Sequence, residues 1–180
     1  MDDLIDQIHY DHISMAKILN IMEKEIERIE VDLDPDYDLL VESMRYMIDY
    51  SDAVHHPKED EIFARLQERV PELKDSIQDI LQQHKTLAGM SEDFSDIVSN
   101  ASLGEFVSKQ DITKSGHEYI RALRKHMDIE EGDLLRKARS KLTADDMLEV
   151  QKLYRNHHDP LVSDSLEYEY NALYRSLINP

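Results

Sequence analysis

The stretch MRYMIDYSDAVHHPKEDEIFARL, residues 44–66, decides the fold. Met44, Met47, Ile48, Ile62, Phe63 and Leu66 recur at three- and four-residue steps, the period of one buried helix face. Ser51, His55 and Glu59 continue that stripe without a break. A His and a Glu four residues apart on a helix face the same way, one turn apart. Polar side chains on an apolar stripe are costly unless they are paired or bind something, so His55 and Glu59 mark a site as well as a helix. His56 and Asp60 have the same spacing, but His56 is rotated about 100 degrees from the stripe, which favours His55. Pro57 removes one helical hydrogen bond, and a kink or bulge is expected beside the site.

The same alphabet extends in both directions. Residues 3–29 place Ile5, Ile8, His12, Met15, Leu19, Met22 and Ile26 on one face (helix A). Asp34-Pro35 reads as a cap followed by proline at the first helical position, opening helix B, of about 33 residues. After Pro71, helix C runs from about Glu72 to Asn100 with Ile77, Leu81, His84, Leu87, Phe94 and Val98 inward. Ser102-Leu103-Gly104 interrupts it, and helix D follows from about Glu105 to Ser140, with Ile112, Tyr119, Leu123, His126, Glu130 and Leu134 inward. Short connections between four such helices predict antiparallel neighbours, an all-α up-down-up-down four-helix bundle over residues 1–140. Thr143-Ala144-Asp145-Asp146 caps a shorter helix that should end near His157-His158-Asp159-Pro160, and an amphipathic piece covers about Ser163 to Ile178. This 141–180 extension, carrying Tyr154, Tyr168, Tyr170 and Tyr174, is expected to pack on the bundle or form a homodimer contact rather than a second domain.

Composition narrows the chemistry. With 21 Lys and Arg against 39 Asp and Glu, the formal charge of −18 opposes nucleic acid and anionic lipid as partners. The absence of cysteine excludes disulfides, thiolate metal sites, iron–sulfur clusters and cysteine nucleophiles. The N-terminus lacks the basic and apolar regions of a signal peptide, and no run of about 18 apolar residues exists, so the expected location is cytoplasmic.

Each of the four long helices therefore carries one inward His, and two add a Glu at matched spacing, His55-x-x-x-Glu59 and His126-x-x-x-Glu130. His12 and His84 lie about 10 to 12 residues after their helix starts, and His55 and His126 about 14 before their helix ends, which puts all four at one level of an antiparallel bundle. A single buried histidine is usually a satisfied core residue. Four in register with two glutamates are better explained by metal, because without it the layer has no counter-charge. His9 lies about 60 degrees from His12 on the wheel, near enough to support or replace a ligand, and His117 is out of phase and expected at the surface. His157 and His158 fit a capping or packing role, and Asp128 and Glu131 face solvent unless one of them bonds a ligating His.

Four segments, Tyr10-Asp11-His12, His55-His56-Pro57-Lys58-Glu59-Asp60, Gln83-His84 and His126-Met127-Asp128-Ile129-Glu130-Glu131, together resemble the hemerythrin-like HHE cation-binding domains over about residues 3 to 140. The resemblance implies two non-haem irons with an oxo or hydroxo bridge. It makes His12 and His55 terminal ligands to one iron, His84 and His126 to the other, and Glu59 and Glu130 bridges. Manganese or zinc would also suit these donors. Open positions on the metals imply a small ligand such as dioxygen, nitric oxide or peroxide. Oxygen-carrying relatives have a second His one turn from the first on helix C, where this chain has Ile80 and Ala88, which weighs against reversible oxygen carriage. Four His and two Glu look like the di-iron proteins of nitric-oxide stress and iron-centre repair, yet those usually carry an N-terminal segment with cysteines. The expectation is a di-iron protein for sensing, stress response or iron handling, with catalysis left open. The alternatives are a metal-braced helical interaction module and an iron store or donor.

Overall fold

No glycine or proline interrupts residues 4–30, and α1 (Leu4–Glu30) runs unbroken until Asp32 turns the chain with a φ of 60°. The computed structural model describes residues 4–157, 159–162 and 166–178. Among them every regular element is helical. The second rod spans residues 37–69 as α2 (Tyr37–Tyr46), a π-helical segment (Met47–His55) and α3 (His56–Arg69). Its cap is Asp36 rather than Asp34: the Asp36 carboxylate accepts the Leu39 N–H at 3.0 Å, so the helix starts two residues beyond Pro35. The wide turns end just before Pro57, where the expected bulge falls; the N–H of His56 reaches back five residues to Ser51.

A short 3-10 turn (Pro71–Leu73) leads into α4 (Lys74–Ser102), which stops at Leu103 before Gly104, whose φ of 80° is one that a side chain rarely tolerates. The fourth rod opens at Ser108, whose hydroxyl accepts the Asp111 N–H at 3.0 Å, a few residues later than the sequence pattern implied. It comprises α5 (Lys109–Ile129), a second π-helical segment (Glu130–Leu134) and α6 (Leu135–Lys141). Thr143 and Asp146 form the anticipated capping box of α7 (Ala144–Tyr154). After α8 (Leu166–Glu169), α9 (Asn171–Ile178) closes the described chain. The expected start of that last piece at Ser163, and His158, lie outside the described residues.

The rods touch in a closed order, α1 with α2, α2 with α4, α4 with α5 and α5 with α1. Two apolar clusters fill the space between them. One holds Met15 to Ile29 of α1, Leu39 to Tyr50, Leu87 to Val98 and Ile112 to Met127. The other holds Leu4, Ile5, Ile8, Ile62, Phe63, Leu66, Ile77, Ile80, Leu134, Leu135 and Ala138. Every rod crosses from one cluster to the other, and α1 and α4 meet them in the opposite order to the other two rods. Between the clusters, each rod contributes a buried histidine, and the second rod contributes two.

The extension is tied to both ends. Val150 of α7 joins the second cluster, beside α3, while Tyr170, Ala172 and Leu173 join the first, beside α2. The Leu173 N–H bonds Glu42 at 2.9 Å, and the Tyr46 hydroxyl donates to buried Asp159 at 3.0 Å.

Candidate metal centre

All six residues selected from the sequence meet in the layer between the clusters, each 5% exposed or less. One donor atom each from His12, His55 and Glu59 lie within 4.8 Å of one another, and so do donors from His56, Glu59, His84 and His126. Glu59 belongs to both groups: its Oε1 is 3.3 Å from His12 Nε2, and its Oε2 is 3.4 Å from His55 Nε2 and 3.6 Å from His84 Nε2. Glu130 spans the same gap, 3.5 Å from His12 Nε2 and 3.2 Å from the Nε2 atoms of both His84 and His126. The residue the sequence pattern set aside is His56, which is buried inside the second group.

The Nδ1 side of each predicted imidazole is held from outside. His12 pairs with Glu131 at 2.9 Å, His55 with Asp11 at 3.0 Å, His84 with Asp60 at 2.6 Å and His126 with Gln83 at 3.2 Å. Each acceptor is the chain neighbour of a layer residue on a different rod: Asp11 precedes His12, Asp60 follows Glu59, Gln83 precedes His84 and Glu131 follows Glu130. The first rod thus serves the second, the second the third, the third the fourth and the fourth the first. Such contacts fix the tautomer and aim Nε2 inward. Of these acceptors, only Glu131 was weighed in the sequence as a partner for a ligand; the adjacency to layer residues was the available signal. His9 stays exposed and meets the same Glu131 oxygen at 3.0 Å, outside the cluster. His117 pairs with Glu30 at 2.9 Å, and His157 lies edge-on to Tyr154, both away from the layer.

The inward atoms are left wanting. Nε2 of His12, His55, His56 and His126, both oxygens of Glu59 and Oε2 of Glu130 are buried without a hydrogen bond. Buried polar atoms are otherwise almost always satisfied, so this convergence of orphaned donors fits a cation and little else. The same crowding sets the protonation of the layer. Burial opposes charge on His12 and His84, but Glu131 and Glu59 beside the first and Asp60 and Glu130 beside the second raise both to about 10. Burial and the neighbouring Glu59 lift the Glu130 carboxyl to about 8, while the surrounding histidines hold Glu59 well below the carboxylate range against its burial. Burial drives His126 down to about 2, despite Glu59, with the His84, His56 and His12 charges adding to the drop.

A buried layer of imidazoles and carboxylates in an all-helical frame defines a cation-binding helical protein. The model of the hemerythrin HHE cation binding domain matches residues 3–138, and the chain belongs to that family. Neither the curated proteins nor the solved structures contain a match. No helix among the described residues is long and apolar enough to cross a membrane.

Proposed function

We propose that this chain is a non-haem di-iron protein that binds or reacts with a small ligand, dioxygen, nitric oxide or peroxide, in sensing, stress response or iron handling. The carrying observation is the shared carboxylate: Glu59 belongs to two donor groups at once, as a bridge between two cations requires. In this reading His12 and His55 would hold one ion and His84 and His126 the other, with Glu59 and Glu130 available to both. Mixed imidazole and carboxylate donors suit iron, and manganese or zinc would meet the same set. Bound iron supplies the redox chemistry and the affinity for small ligands.

The chain's own part is to orient and to enclose. Asp11, Asp60, Gln83 and Glu131 accept from the Nδ1 atoms and so aim four Nε2 atoms inward, where a bound cation would displace the protons that His12 and His84 otherwise hold. The apolar clusters on either side exclude water, which strengthens electrostatic contacts within the layer. The order in which the rods cross the clusters supports an up-down-up-down bundle over residues 1–140. The burial of Val150, Tyr170 and Leu173 against it supports a 141–180 extension belonging to the same domain.

Anaerobic loading with ferrous iron followed by metal analysis tests this reading. About two irons per chain are expected from the two donor groups, falling in Glu59→Ala and Glu130→Ala. Near-ultraviolet absorption that responds to azide, peroxide or nitric oxide is expected of the oxidised iron form and not of a zinc form. Failure to bind two ions, or full retention in both variants, would defeat it.

A further inference from the structure

We propose that His56 is a fifth imidazole donor on the His84–His126 side of the centre, which makes the two cation positions unequal. The inference rests on the two-cation reading above. In a regular helix two successive residues point about 100 degrees apart, and only one of His55 and His56 would face the layer. The π-helical segment ending at His55 changes that: its wider turns carry an extra residue, and both rings end buried, at 0% and 3% exposure.

His56 then lies among the second donor group. Its ring is stacked on that of His84, 4.4 Å between centroids and 10° from parallel, and edge-on to His126 at 5.4 Å. Neither of its nitrogens makes a hydrogen bond. Asp52 stands 3.3 Å from Nδ1 and receives the Ser91 hydroxyl, in the place the outer acceptors occupy for the other four imidazoles. α4 offers no second imidazole one turn from His84, where Ile80 and Ala88 stand, and His56 supplies one from the neighbouring rod. The count is three imidazoles on that side against His12 and His55 on the other.

The test compares wild type, His56→Ala and His56→Phe, each loaded anaerobically with iron-57 and oxidised. Phe keeps a stacked ring but has no donor atom. Wild type is expected to give two Mössbauer doublets of equal area. Both variants are expected to keep their helicity while one doublet shifts or is lost and the other stays, and added imidazole should restore the shifted one in His56→Ala. An unchanged spectrum in both variants, or recovery in His56→Phe alone, overturns the role of His56 while leaving two bound irons. Wild type that binds fewer than two irons overturns the parent reading, and this inference with it.

Discussion

His55 Nδ1 and Asp11 Oδ2 lie 3.0 Å apart in the interior, and the same Asp11 oxygen is 3.3 Å from the ammonium of Lys58, itself only 4% exposed. Burial opposes the charge on Asp11, but the His55 bond, the nearby cations and the Tyr50 hydroxyl bring its carboxyl below the usual range. Asp11→Asn removes the charge that orients His55, and metal affinity should fall about 10- to 100-fold in a chelator competition titration. The same change strips Lys58 of its counter-charge, so the metal-free variant should also melt earlier than metal-free wild type.

Metal itself should stabilise the fold. A cation that binds the folded chain alone contributes about 2.7 kcal/mol at a hundred times its dissociation constant. Thermal melts are expected to move upward on metal addition and back with chelator. Glu59→Ala combined with Glu130→Ala should abolish most of that response.

Gly116 of α5 packs tightly against the Ile26 and Phe94 side chains. A Cβ built there would run into the Ile26 side chain and lie 2.8 Å from the Phe94 ring. Both neighbours are fully buried and cannot swing into solvent. Gly116→Ala gains up to about 1 kcal/mol of helix propensity but overpacks the core by about 1–3 kcal/mol. A net loss of stability is expected in urea unfolding, and Gly116→Val should lose more.

Tyr46 anchors the extension through its bond to Asp159, which also accepts the Leu161 N–H at 2.9 Å. Burial raises the Asp159 carboxyl, and these bonds work against that rise. Tyr46→Phe leaves a buried carboxylate short of a donor, a loss of about 1–3 kcal/mol. Faster amide exchange over residues 170–178 at unchanged metal content would locate the loss in the extension.

Asp146 gives the pH dependence. Its bonds to Arg69 at 2.7 Å and to Thr143 hold its carboxyl well below the ordinary aspartate value. A depressed carboxylate stabilises the fold above its unfolded pKa, about 3.9, and that contribution disappears as pH falls through the folded value. Asp146→Asn should therefore melt below wild type at pH 7, with the difference narrowing as the melts are repeated toward pH 2.

The periodic stripes made the helices and the six layer residues legible, because each polar residue fell where an apolar one was due. Helix starts were less legible: Asp34-Pro35 and Asp36 are both credible caps, and only the bond to Leu39 decides between them. His56 was set aside in favour of His55 because wheel geometry assumes one uniform pitch, and the π-helical segment, which leaves both rings buried, violates it just where the layer is. Pro57 announced that segment, whereas nothing comparable announced the one at Glu130–Leu134. The outer acceptors other than Glu131 were missed because each serves an imidazole on another rod, a relation that no single-helix pattern contains.

That relay of acceptors also fixes where each rod sits along its length. Because the first rod grips the second, the second the third, the third the fourth and the fourth the first, sliding any one rod by a turn breaks two grips at once. Greasy surfaces alone would tolerate such a slip, since one turn of leucine and isoleucine resembles the next. The acceptors thus act as index marks, and the same side chains that aim the imidazoles align the frame that carries them.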